Sequence, residues 1–134
     1  MGLFSKKTNE DKEAKFMKEL KSGFKTVITI QLADKNESEG EELVVCSCLS
    51  GLEVIAGDKN KQLVDRKGVL TLVDEGFEID LPRFDFNTVI PWDEMDYKQS
   101  IYLFLKDESM ISFGIIKNAE IRHSVLNNII ESHK

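Results

Sequence analysis

The sequence is sparing with the residues that most often build chemical sites or rigid scaffolds: two cysteines, two histidines, two prolines and one tryptophan among 134 residues. Two cysteines cannot staple a disulfide-dense secreted fold. Together with two histidines they reach the four ligands of a structural zinc site only if all converge. Two prolines and eight glycines, beside 41% apolar and 31% charged residues, exclude collagen-like and disordered chains. No apolar run approaches the roughly 20 residues that span a bilayer. At this length one compact domain is expected.

Positive charge is also in deficit. Lys and Arg total 18 against 24 Asp and Glu, a net charge of −6 that opposes broad attraction to nucleic-acid phosphates. The deficit is uneven. Residues 1–25 hold seven lysines against four acids, a net of +3, so the remaining 11 basic and 20 acidic residues carry −9. The apolar start Leu3-Phe4 is too short for the core of a secretory signal. Gly2 opens a myristoylation-like start, but that pattern takes Ser or Thr at position six, where Lys6 stands. A cytoplasmic protein is expected, and the basic leader, residues 1–21, admits peripheral association with the inner membrane face.

Along the chain, Thr8 to Leu20 favours a short helix, with acids Glu10 and Asp11 at its start and lysines at its end. Its apolar positions, Phe16, Met17 and Leu20, make a narrow stripe and predict weak docking. After Gly23 the period becomes two: Phe24, Thr26, Ile28, Ile30 and Leu32 share a strand face. Residues 33–42 read as an acidic loop, Leu43 to Leu49 as a strand, Leu52 to Ala56 as a short β-like run and 57–62 as another loop. Val69 to Leu72 and Phe77 to Leu81 flank Asp74-Glu75-Gly76 as a hairpin. Phe84, Phe86, Thr88 and Ile90 alternate toward Pro91, which marks a strand end or edge. Ile101 to Leu105 and Met110 to Ile115 form a second hairpin. Asn118 is placed to cap a final helix whose apolar face is Ile121, Val125, Leu126, Ile129 and Ile130.

The sum is a mainly β (α+β) chain: seven or eight antiparallel strands, one C-terminal helix and a short N-terminal helix. Three stretches carry a resemblance: Glu39-Gly-Glu-Glu-Leu-Val, Gly68-Val-Leu-Thr-Leu-Val-Asp-Glu-Gly-Phe-Glu-Ile and Ile90-Pro-Trp-Asp-Glu-Met. With the terminal helix they resemble small bacterial domains of the pleckstrin-homology-like (PH-like) superfamily. The resemblance covers residues 24–134, leaving 1–23 as the leader. It implies a bent antiparallel barrel plugged by the last helix, a binding scaffold without built-in catalysis. Members that bind phosphoinositides cluster cations in the first strand-to-strand loop. Here that loop carries Asp34, Glu37, Glu39, Glu41 and Glu42 against Lys35, which argues against a phosphoinositide ligand.

Residue chemistry leaves a few candidates. Cys46 and Cys48, two apart in an expected strand, share a face and read either as small core residues or as a metal or redox pair. His123 and His133 show no ligand spacing with each other, so no metal and no cofactor are expected. Asp93, Glu94 and Asp96 beside Trp92 read as a solvated turn or as the carboxylates of a small hydrolase. Lys59, Lys61, Arg66 and Lys67 are the basic concentration of the body and a candidate anion site. Phe84, Phe86 and Trp92 read as barrel core or as anchors for a partner peptide added at a strand edge. The expected function is non-enzymatic recognition of a protein partner, or self-association through open strand edges. Peripheral membrane binding is the alternative, and a carboxylate-dependent hydrolase stands behind both.

Overall fold

The structure, a computed structural model, describes residues 9–33, 46–52, 62–99 and 102–133. Helix α1 (Asn9–Ser22) is followed by strands β1 (Phe24–Gln31), β2 (Gln62–Val73), β3 (Gly76–Leu81), β4 (Phe86–Pro91), β5 (Met95–Gln99), β6 (Tyr102–Leu105) and β7 (Met110–Phe113). Helix α2 (Ala119–Ser132) ends the chain. The strands form one antiparallel half-barrel in the order β4-β3-β2-β1-β7-β6-β5.

Alternation decides which face is buried. On β1, Phe24, Ile28 and Ile30 point inward; Leu70 on β2, Phe77, Ile79 and Leu81 on β3, and Ile111 and Phe113 on β7 meet them in one core. Val125, Leu126, Ile129 and Ile130 of α2 close that core from the helix side. A 14-residue helix is marginal alone, so this stripe and the sheet stabilise each other.

The β2–β3 hairpin turns at Asp74-Glu75 as the sequence predicts. Gly76 opens β3 where its strand meets the end of β4, and a Cβ there would lie 1.8 Å from the Ile90 carbonyl oxygen. Only glycine permits this approach. The partner of Gly76 on β4 is Pro91, and the chain beyond it is held by the Trp92 N–H donating to the Glu75 carbonyl at 3.2 Å.

Several expectations are corrected. Helix α1 docks firmly rather than weakly: Phe16 and Leu20 are fully buried, and α1 packs on α2, β1 and β2. Two turns of a narrow stripe suffice because both side chains enter the main core. Ser47–Leu49 is a 3₁₀ turn, not a strand, closed by Leu49 N–H to the Cys46 carbonyl. Phe84 does not alternate with Phe86. It ends a 3₁₀ turn, Pro82–Phe84, and Asp85 at φ 50° breaks the period before β4 begins. The Asp93–Asp96 turn is brief, since β5 starts at Met95 and pairs with β6. Asn118 does precede α2, but in the left-handed conformation with no side-chain cap; its carbonyl accepts from Arg122 N–H at 3.1 Å. The acidic loop 34–42, the strand portion 43–45, the run 53–56 and the loop 57–61 lie outside the described residues, as does the leader 1–8.

Two stability outcomes follow from this packing. Leu20→Ala should cost about 3 kcal/mol in urea unfolding, the range of a buried leucine, whereas a loosely docked helix would lose little. Gly76→Ala should cost more than about 3 kcal/mol, since backbone must move to admit the Cβ. Retained wild-type midpoints would reject these contacts.

Candidate functional site

Strand β2 breaks its own alternation at the place where the sequence concentrates cations. Its pairing with β1 runs Thr26 opposite Gly68 and then Ile28 opposite Asp65, so β2 holds one residue more than its partner over that interval. Such a bulge re-aims side chains. Asp65 is buried, and Arg66 and Lys67 are both exposed in succession.

Asp65 is the pin of this feature. Its Oδ1 accepts from the Lys67 N–H at 2.8 Å, closing a local turn across the bulge. Its Oδ2 accepts from the Arg83 N–H at 2.7 Å, tying β2 to the 3₁₀ turn that follows β3. The Arg83 guanidinium adds a bond from Nη1 to the Val64 carbonyl at 2.9 Å and lies 5.3 Å from the Phe84 ring centre. The carboxylate thus leaves water without leaving its acceptors unmatched.

These contacts wall a cavity of about 540 Å³ lined by Asp65, Arg66, Lys67, Pro82 and Arg83. Three cations face one carboxylate whose two oxygens are held by backbone N–H groups. An anionic group entering here would meet net positive charge in an otherwise acidic protein.

Of the residues singled out by sequence, Arg66 and Lys67 come together at this cavity, with Phe84 beside Arg83 at its margin. Lys59 and Lys61 lie outside the described residues. Phe86, half-buried on β4, packs against the core near Gly51. Trp92 is elsewhere and engaged on several sides: its indole N–H donates to the Asp74 carbonyl at 2.8 Å, and its ring meets Phe77 edge-on at 5.3 Å. His133 stacks on it at 3.8 Å, pinning the end of α2 to the β2–β3 turn. Asp93 and Asp96 are exposed, and Glu94 accepts from the Ser47 hydroxyl at 3.4 Å. Sequence reasoning missed Asp65, Pro82 and Arg83. The local signal was an aspartate two residues before an N–H donor and three before a strand glycine.

The cysteines meet by a different route from the one expected. The 3₁₀ turn, anchored to β4 by the Thr88 hydroxyl donating to the Cys48 carbonyl, brings the two sulfurs to 2.9 Å. The hydrogen bond from Cys48 holds the Cys46 thiol below its ordinary value of 9.0, against the opposing effect of burial. The same bond, then burial and the neighbouring Cys46 and Glu94 charges, push Cys48 up. Among the described residues no group of three or more His, Cys, Asp or Glu is placed to hold a metal ion.

Thiolate ultraviolet absorbance followed against pH should show one cysteine ionising below 9.0. In Cys48→Ala the donor is gone while burial persists, so that midpoint should rise; an unmoved midpoint would reject the hydrogen-bonded pair. In comparisons with known proteins, no protein-family model, no curated protein and no solved structure matches the chain.

Proposed function

We propose that this chain is a non-enzymatic binding module on a PH-like scaffold, and that the bulge cavity of β2 receives an acidic segment of a partner protein. The convergence of Arg66, Lys67 and Arg83 on one cavity carries the reading. Two of these cations come from a bulged strand and the third from a turn, and Asp65 fixes the two elements against each other. That preorganisation lowers the cost of ordering the site when a carboxylate-bearing segment docks.

Asp65 supports binding over hydrolysis. Its oxygens are occupied by backbone donors and it is buried, so it acts as a brace where a general base would need reach to substrate. The sheet order and the helix that covers the sheet support the PH-like reading of the scaffold.

Fluorescence anisotropy with a labelled glutamate-rich peptide and its glutamine analogue tests the proposal. The acidic peptide should bind at least about tenfold more tightly, and Arg66→Glu with Lys67→Glu should remove that preference while leaving the unfolding midpoint unchanged. Equal binding of the two peptides, or an unaffected double variant, would overturn it.

A further inference from the structure

The sequence places a basic leader at the start of the chain, but helix α1 within it is balanced, four lysines against four acids, so what matters is where the structure puts those charges. The apolar stripe of α1 is committed to the core through Phe16 and Leu20, so that stripe is not free to enter a bilayer. Outward, α1 presents charge segregated along its length: the acids Glu10 and Asp11 are exposed in its first turn, and Lys15, Lys18 and Lys21 are exposed beyond it.

Two of its lysines, Lys12 and Lys15, line a cleft of about 260 Å³ between α1 and the start of α2. Lys117 and Arg122 line the same cleft from the α2 side. The acid among its lining residues is Glu19, which lies 3.7 Å from the Arg122 guanidinium. Arg122 is also held over Phe16 and Phe24, 5.1 and 4.9 Å from their ring centres. Glu19 and Arg122 offset each other, and three lysines remain as the net charge of the cleft.

Immediately before Lys117 stands Ile116, 89% exposed, the most exposed large apolar side chain among the described residues. Folding gains nothing from an isoleucine in that position. We propose that the α1–α2 cleft and Ile116 form a docking face for an anionic lipid surface, with the lysines meeting headgroups and Ile116 entering the acyl boundary. Cations beside a protruding aliphatic side chain suit an anionic bilayer, because an apolar group enters the headgroup/acyl boundary to a depth of roughly 5–10 Å while neighbouring cations stay among the anionic headgroups. A nucleic acid fits less well: the rings at this face, Phe16 and Phe24, are buried beneath Arg122 and cannot stack on bases.

Co-sedimentation of the full chain with vesicles of phosphatidylcholine alone, and with vesicles that also contain phosphatidylglycerol, tests the face. The protein should pellet with the anionic vesicles only, and added salt should release it. Each cation near such a surface strengthens binding about fivefold, so Lys12→Glu with Lys117→Glu should weaken it at least about tenfold. Ile116→Ser should weaken it about tenfold at unchanged charge. All three positions are at least partly exposed, and unchanged circular dichroism checks the fold. Arg66→Glu with Lys67→Glu should pellet like the wild type, which separates this face from the β2 cavity. Failure of the wild type to pellet, wild-type pelleting by either α1–α2 variant, or loss in the β2 variant would overturn the proposal. Release by millimolar inorganic phosphate at constant ionic strength would also overturn it, by assigning the cleft to a free anion.

Discussion

An open, curved sheet has one face that must be covered, and the rest of this molecule is arranged around that requirement. The covered side collects the inward residues of β1, β2, β3 and β7, and α2, packed beside α1 and β5, adds Val125, Leu126, Ile129 and Ile130 to the same core. Each large aliphatic side chain removed from water contributes about 1.5–3 kcal/mol, so the α2 stripe alone stabilises the fold strongly. Helix α1 completes the cover with two side chains. The stacking of His133 on Trp92 then fixes the far end of α2 to the β2–β3 turn.

With the apolar faces of both helices turned inward, polar chemistry is displaced to the margins of the sheet. The protein is acidic overall, yet among the described residues two cavities with basic linings lie where elements meet: at the bulge of β2 and where α1 approaches the start of α2. At each, the lining carboxylate is held by groups of the protein itself. Asp65 is held by two backbone donors, and Glu19 by Arg122. The lining cations outnumber the acid at each, three to one at the bulge and four to one between the helices, which a count over the whole chain conceals. The cysteine pair follows the same logic of proximity, since a turn anchored on β4 brings the two sulfurs within hydrogen-bond distance and so favours ionisation of one of them.

Much of the fold was legible because its periods are strong. Alternation marked β1, the β2–β3 hairpin and the β6–β7 hairpin, and a four-residue recurrence marked α2. What failed did so where a local break competes with a pattern. The run from Phe84 to Ile90 alternates in sequence, but Pro82 starts a 3₁₀ turn and Asp85 takes a left-handed conformation, so the strand begins only at Phe86. Met95–Gln99 was hidden because the acids before it dominate the reading of a solvated turn. For α1 the count of apolar residues misled: burial depends on what the stripe meets, and Phe16 and Leu20 meet the main core.

The candidate site divides in the same way. Arg66 and Lys67 were visible as a basic concentration, because charge is a property of composition and needs no partner. Their alignment with Arg83 was not, because it arises from one extra residue in β2 and from a carboxylate that bonds across 18 positions of sequence. By itself the sequence determined the class of fold, the uneven charge and the scarcity of metal-binding side chains, since these follow from residue type and local period. The tertiary structure decided that α1 belongs to the core, that Asp65 is a brace, that the two thiols touch and that cations from distant segments share a cavity. Those outcomes rest on long-range packing and hydrogen bonding, which no local pattern encodes.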